Sequence, residues 1–410
     1  MVGGKLQGTE AVYLAAKAGH ETVLVDRRED PPASGLADRF VVADITADEE
    51  RARILARSCD AVLPACEDLT TLRWLAERVP GWDVPLLFDL DAYLVSASKA
   101  ASGRLFAELD VPRPAPWPEC GFPAVVKPDS ASGSEGVRVV ADEDELRVAR
   151  AALEAAGHEV VVEEYVAGPS LSLEVLAWGG HAVRLQVTGL EFDAAYDCKR
   201  VVAPVGEAAA GAPAAAASRG SCDWRRAVDA GTLAAFDAAA VRLGEGLGLN
   251  GLMDVEVMVR GGVPKVLEID ARLPSQTPTA VLWSSGINIV DALIETARRG
   301  APAAVDRAPR RACVYQHVRA HSGLLEVLGE HVMGKARPLT LVSGFFGVAE
   351  ALTDYAPHAR EWSATLIATG VTVDDAGRVL AAAVAEMVRR EELESVSEGE
   401  VRPVKARIGE

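Results

Sequence analysis

The feature that most constrains this chain is a pair of short runs in which acids alternate with apolar residues, Met253-Asp254-Val255-Glu256 and Val266-Leu267-Glu268-Ile269-Asp270, with Gly261-Gly262 between them. Side chains of a β-strand alternate between faces, so each run sends its acids to one side and its apolar residues to the other. The glycines signal a turn. A hairpin over this stretch lays Asp254 or Glu256 beside Glu268 and Asp270, with Leu267 and Ile269 alternating as though the opposite face were core. Acids facing solvent are the alternative to such a cluster. If they converge instead, hard oxygen ligands with no histidine or cysteine in either run suit magnesium bridging phosphates and not zinc.

Upstream, Phe122-Pro123-Ala124-Val125-Val126-Lys127-Pro128 reads as an apolar strand ending in a lysine, and residues 129–136 follow as a small, hydroxyl-rich loop. Such a loop can close its backbone amides over phosphates while Lys127 neutralises their charge. Lys99, on a helix expected over 98–109, offers a second cation, with a solvated surface lysine as the alternative. Val161-Val162-Glu163-Glu164-Tyr165-Val166 is a strand ending in paired acids before Ala167-Gly168 turns the chain. Its exit presents backbone donors and acceptors, and Glu163, to a nucleobase; a bland edge strand has the same pattern. Directly after the acid hairpin, Arg272-Leu273-Pro274-Ser275-Gln276-Thr277-Pro278-Thr279 is sited to hold a reacting carboxylate, and Arg272 to stabilise charge as an acyl phosphate forms and is attacked.

With 410 residues, and roughly 100–200 residues per domain, two or three domains are expected. The predicted fold is α/β, divided as 1–90, 91–300 and 301–410. In the first unit, apolar runs at 22–25, 40–43, 61–63 and 86–88 alternate with helix candidates at 9–18, 48–57 and 69–78, the pattern of parallel β-α units. Only Met1 and Val2 precede Gly3-Gly4, so the opening strand looks clipped. Gly3-Gly4-Lys5-Leu6-Gln7-Gly8 stands before a helix, where free N–H groups favour an anion, and Asp26 lies where a Rossmann acid grips a ribose. The spacing is not Gly-x-Gly-x-x-Gly, and a purely structural glycine turn fits it equally. In the second unit, strands are predicted at 123–127, 137–140, 160–165, 171–178 and 181–188, with a helix at 143–155. Segment 208–219 has the Ala, Gly and Pro content of a flexible insertion, and the tail after Arg390 is charged without periodicity.

A net charge of −18 repels a nucleic-acid backbone, whose nonspecific affinity for proteins comes from lysine and arginine. The six cysteines are scattered without a Cys-x-x-Cys pair, so neither structural zinc nor a disulfide framework is expected, and a reducing cytoplasm fits. No signal pattern opens the chain, and no apolar stretch approaches the ~20 residues of a membrane span.

The order of lysine strand, hydroxyl loop, acid-ended strand and late acid hairpin resembles the ATP-grasp superfamily over residues 99–279. That superfamily usually carries Asn where Asp270 stands. More specific matches, Val2-Gly3-Gly4-Lys5-Leu6-Gln7-Gly8, Asp60-Ala61-Val62-Leu63-Pro64, Tyr196-Asp197-Cys198, Met253 to Glu256 and Glu268 to Thr279, are similar to the pyrrolysine-biosynthesis ligases that join 3-methyl-D-ornithine to the side-chain amine of L-lysine. The resemblance implies a Rossmann-like amino-terminal domain, an ATP-grasp domain and a smaller carboxy-terminal domain, with ATP and Mg²⁺ as cofactors. By it, Lys99, Lys127, Ser134, Glu163, Glu164, Tyr165 and Val166 hold the nucleotide, and Asp254, Glu268 and Asp270 hold magnesium. Ser172, Leu173, Glu174 and Ser275, Gln276, Thr277, Pro278, Thr279 line the ornithine-like site, and Asp197 belongs to the substrate contacts. Leu6, Gln7 and Glu67 receive lysine, while Lys5, Asp26, Asp44 and Ile45 match an additional nucleotide contact. Lys127, Arg272 and Glu174 are the expected catalytic groups, with Glu174 or Asp197 as acceptor of the amine proton. A homodimer is compatible with this reading. Three rivals remain at this point: a nicotinamide-dependent oxidoreductase built on the glycine turn and Asp26, a catalytically silent nucleotide-binding module, and another ATP-grasp peptide ligase or carboxylase acting on a different acid.

Overall fold

The computed structural model describes residues 1–130, 136–193, 196–206 and 228–395. Ser134, the segment 208–219 and the tail beyond residue 395 lie outside these residues.

In the amino-terminal unit, β1 (Val23–Asp26) pairs in parallel with β2 (Arg39–Val42), and single parallel bridges join Val2 to Val25 and Pro64, and Val62 to Leu86. Val2 thus links its two neighbours by single bridges. Helices α1 (Leu6–Ala18), α2 (Glu49–Arg57) and α3 (Leu69–Arg78) occupy the predicted stretches. Val25, Ile45, Val62, Leu75 and Trp82 form one core of this unit.

Helix α4 (Leu90–Ser96) leads to α5 (Lys99–Glu108). A three-stranded antiparallel sheet follows, with β3 (Ala124–Pro128) between β4 (Arg138–Val140) and β5 (Val160–Glu164), and α6 (Glu143–Ala155) packs on it. Gly168 then turns the chain at φ 157, where a Cβ would lie 1.9 Å from the Val259 carbonyl oxygen. Only glycine fits so close a backbone approach.

The remaining strands form one sheet of eleven among the described residues. Its main path runs β10 (Val263–Asp270), β9 (Gly251–Arg260), β6 (Ser170–Trp178), β7 (His181–Phe192), β8 (Cys198–Ala203), β11 (Ala312–His321), β15 (Trp362–Gly370), β14 (Glu350–Thr353) and β13 (Thr340–Ser343), with β12 (Leu324–Val327) beside β11 and β16 (Glu394–Ser395) beside β12. Helices α7 (Ala230–Gly246), α8 (Thr277–Ser285), α9 (Ile289–Arg299) and α10 (Val373–Arg390) pack around it. The sheet is continuous across residue 300, because β11 pairs directly with β8. Strand β8 escapes the sequence pattern. Its first three residues are half-buried and its last three buried, so it shows no period of two.

Eight helices among the described residues open on an Asp, Ser, Asn or Thr whose side chain accepts a first-turn N–H, as helix ends require. The two without such a cap are α1 and α8. Both stand beside the cleft described below.

Phe236 of α7 is fully buried in the main core. Phe236→Ala is expected to cost about 3–5 kcal/mol, read as a lower urea midpoint at unchanged slope.

Candidate active site

The acid hairpin forms, with Glu268 opposite Glu256 and Asp270 opposite Asp254. Met253, Val255, Val257, Val266 and Ile269 fill the core on the other face. Both candidate acids on β9 therefore arrive at the cluster. A bulge between Val266 and Glu268 also brings Leu267 to the cleft, where it lines a cavity of about 570 Å³.

That cavity lies between the small sheet and the large one. Val125, Val139, Tyr165, Val166, Leu190 and Met258 give it apolar walls, and Lys99, Lys127, Glu163, Glu256 and Glu268 bring charge to it. Lys127 Nζ stands 2.5 Å from Glu163 Oε1, and Lys99 Nζ stands 3.6 Å from Glu268 Oε2. Asp129 secures the first turn of α5, its side chain accepting from Ala100 N at 2.7 Å and its carbonyl from Lys99 N at 3.1 Å. The two lysines thus approach from separate elements that one residue ties together. Glu164 also lines the cavity, but its carboxylate is committed to Arg260 and Lys265. Burial raises its pKa, yet the bonds from Lys265 and Ala115 N–H outweigh that and hold it below the usual range.

A smaller cavity of about 100 Å³ shares Leu190, Phe192, Tyr196, Glu256 and Glu268 with the first and continues to Asp197, Asp254, Asp270, Arg272, Ser275, Gln276, Thr277 and Glu330. Its charge is dominated by acids. Burial pushes Asp254 and Glu256 well above the ordinary carboxylate range, and the acids across the hairpin add to this. Asp270 rises only to about 6, because Arg272 opposes the effect of burial. Arg272 bonds Asp270 at 3.1 Å and Glu67 at 2.9 Å, and Gln7 donates to the same Glu67 at 2.8 Å. Asp254 Oδ1 is buried without a partner among the described residues.

Oxygen donors, one of them orphaned, fit a hard divalent cation. No three His, Cys, Asp or Glu side chains among the described residues gather closely enough to enclose a metal by themselves. Magnesium at this hairpin would complete its sphere with phosphate and water oxygens, its usual habit.

Ser172 and Glu174 on β6 lie fully buried with unpartnered oxygens, opposite Glu256 and Asp254 of β9. Leu173, expected at the substrate, is corrected by strand alternation. It packs in the main core. Gln276 adopts φ 75, ψ −60, and Thr277 N donates to Ser275 O at 2.9 Å, a γ-turn that only surrounding contacts sustain. Glu330 supplies one contact, accepting from Ser275 Oγ at 2.6 Å and Gln276 Nε2 at 2.7 Å. Glu10 of α1 supplies another, accepting the N–H of Thr279 at 2.6 Å. Pro278 opens α8 beside them.

The residues expected at an additional nucleotide are not brought to either cavity. Lys5 is exposed at the start of α1. Asp26 accepts from Gly4 N at 2.7 Å and Arg28 N at 2.8 Å, which closes the glycine turn on itself. Asp44 accepts from Thr46, and Ile45 is core. Leu6 packs near Gly334. Glu330, Glu10 and Lys199, which lines the larger cavity, escape sequence reasoning. Glu330 sits in a short 3₁₀ turn with no motif around it, although Glu10 does stand as a lone acid at the head of a run of Ala, Val, Tyr and Leu.

Residues 117–272 match the family model described as D-ala D-ala ligase C-terminus. The 3-methyl-D-ornithine–L-lysine ligase of Methanosarcina barkeri is 35% identical over 81% of this chain and 83% of its own length; that of Methanosarcina acetivorans is 33% identical over the same shares. The chain belongs to the 3-methyl-D-ornithine–L-lysine ligase family. Its fold is that of the ATP-grasp enzymes. The biotin carboxylase domain of Hydrogenobacter thermophilus 2-oxoglutarate carboxylase, solved with MgADP and bicarbonate, superposes with a TM-score of 0.69 over 94% of this chain and 88% of that one, at 14% identity.

Burial pushes Glu10 and Glu174 from 4.5 to about 7. In that window the folded chain keeps protons the unfolded chain has released, so stability falls as pH rises from 4.5 to about 7. Glu174→Gln should flatten the fall. Thermal midpoints of both proteins across the window check it, and parallel curves would count against it.

Proposed function

We propose that this chain spends ATP to phosphorylate the carboxylate of 3-methyl-D-ornithine and joins the acyl group to the side-chain amine of L-lysine, releasing ADP and phosphate. The observation that carries the reading is the acid hairpin facing Lys99 and Lys127 where an apolar, nucleotide-sized cleft runs into an acid-lined cavity. An apolar slot with a polar rim suits the adenine, and the lysines suit the phosphates. The smaller cavity suits a diamino acid, whose ammonium groups its carboxylates can pair.

Asp254, Glu268 and Asp270 would hold magnesium, with Glu256 adjoining them. When bound, the ion neutralises the β- and γ-phosphates and polarises the transferring group. Lys127 shares that neutralisation from the opposite wall, and Lys99 anchors the phosphates beside Glu268. Arg272, fixed by Asp270 and Glu67, is placed to stabilise the negative charge that appears when the amine attacks the acyl carbon. Gln7 and Glu67 give the amino-terminal unit its access to the same point, consistent with an amine entering from that side. The reading also places the enzyme in the cytoplasm. No helix among the described residues is long and apolar enough to cross a membrane.

Incubating the protein with ATP, magnesium, 3-methyl-D-ornithine or D-ornithine, and L-lysine should yield the isopeptide by mass spectrometry, with stoichiometric ADP. Product formed without ATP, or ADP release with no isopeptide from either acid, would overturn the reading. Lys127→Ala and Glu268→Gln should each lower turnover by on the order of 10²–10³ with the fold intact, the scale for loss of one charge-stabilising contact. Circular dichroism alongside ADP release distinguishes this from unfolding.

A further inference from the structure

The geometry points to Asp197 as the group that takes the proton from the attacking amine, and to His331 as the positioning residue that holds it. The inference rests on the ligation reading above. A lysine side chain has a pKa near 10.4, so at neutral pH only about one in 10³ carries the lone pair that attack requires. A nearby acceptor is therefore needed.

Most acids of the smaller cavity are already engaged. Asp254, Glu256, Glu268 and Asp270 form the hairpin cluster. Glu330 receives Ser275 and Gln276. Asp197 is set apart by lying off the hairpin and by a histidine partner that opens to solvent. Its Oδ2 meets His331 Nδ1 and also accepts the His331 backbone N–H at 3.3 Å, while its Oδ1 has no partner among the described residues. The Asp197 side chain is 13% exposed and that of His331 51%, so the pair runs from the cavity wall toward water.

The placement is built in. A Cβ at Gly329 would fall 2.0 Å from Asp197 Cγ, so only glycine there lets the carboxylate lie against the turn that carries Glu330 and His331. Asp193 braces the same turn, accepting from Gly329 N at 3.3 Å and from Asp197 N at 3.1 Å. Further along it, Gly334 packs against Leu6, so the turn touches the amine side and the proton acceptor together. In the step, an ammonium N–H bond breaks toward Asp197 Oδ1 and the freed pair forms the C–N bond. The bond from acyl carbon to phosphate oxygen then breaks, the nitrogen's second proton goes to the departing phosphate, which leaves as hydrogen phosphate, and Asp197 returns its proton to water.

Hydroxylamine, unprotonated at neutral pH, captures acyl phosphates without needing a base. The test measures isopeptide from L-lysine and hydroxamate from hydroxylamine for the wild type, Asp197→Asn, His331→Ala and His331→Asn. The isopeptide-to-hydroxamate ratio should fall roughly 10²-fold in Asp197→Asn, the lower end for a lost general base. It should fall less in His331→Ala and recover in His331→Asn, whose amide can still donate to Asp197. If both products fall in parallel, the pair is structural and the proposal fails. Hydroxamate without isopeptide from the wild type sinks the ligation reading instead.

Discussion

The structure depends on a repulsion. Two cross-strand pairs of carboxylates, Asp254 with Asp270 and Glu256 with Glu268, face each other across a hairpin whose reverse side is sealed in the core. Like charges directly opposite on a sheet are destabilising, and burial enlarges the cost. The strands cannot slip to relieve it, because a one-residue shift would send Val255 and Ile269 into the cleft. The cluster persists because cations stand around it. Arg272 and Lys99 meet it directly, while burial, and after it the facing acids, still hold the carboxyl groups of Asp254 and Glu256 well above their ordinary range. A divalent ion and a diamino acid are the chemistry that completes the balance.

This charge deficit explains why the site draws on the whole chain. Arg272 is fixed by Glu67 from the amino-terminal unit, and Glu67 is fixed by Gln7. Glu10 reaches from α1 to Thr279, supplying the cap that α8 lacks locally. From the carboxy-terminal side, Glu330 grips the strained Gln276 turn. Ser275, Gln276 and Thr277 are therefore held from two sides by residues more than 50 positions away, as their backbone conformation requires.

Much of this was legible beforehand, for a physical reason. Strand alternation and the glycine turn suffice to place Glu268 and Asp270 on one face, and an apolar strand ending in Lys127 announces its own geometry. Local patterns stop at local structure, however. Whether Asp254 or Glu256 joined the cluster was open because alternation puts both on the same face; register brings both. Leu173 was misplaced because a resemblance assigns a stretch, whereas a strand divides that stretch between two faces. Glu330 and β8 left no periodic trace, and Glu10 joins the site only through α8, packed against it from 269 positions away.

Asp26 marks the limit of motif reasoning at the other end of the chain. An acid about twenty residues after a glycine turn suggests a ribose contact, and a nicotinamide enzyme was a fair rival on that ground. Here both Asp26 oxygens accept backbone N–H groups, from Gly4 and Arg28, so the carboxylate acts as an internal anion at the turn. The same economy appears at α8, where Glu10 occupies the helix N-terminus. In both places a protein carboxylate stands where a ligand's anion could otherwise bind. The larger cavity is different: Lys99 and Lys127 reach it from separate elements, and the carboxylates near them are too crowded to be satisfied by two lysines alone. A triphosphate carrying its cation answers both needs at once, supplying anionic oxygens to the lysines and positive charge to the hairpin. That reciprocity ties nucleotide binding to the acid cluster and makes the amino-terminal turn a support for α1 and its contacts.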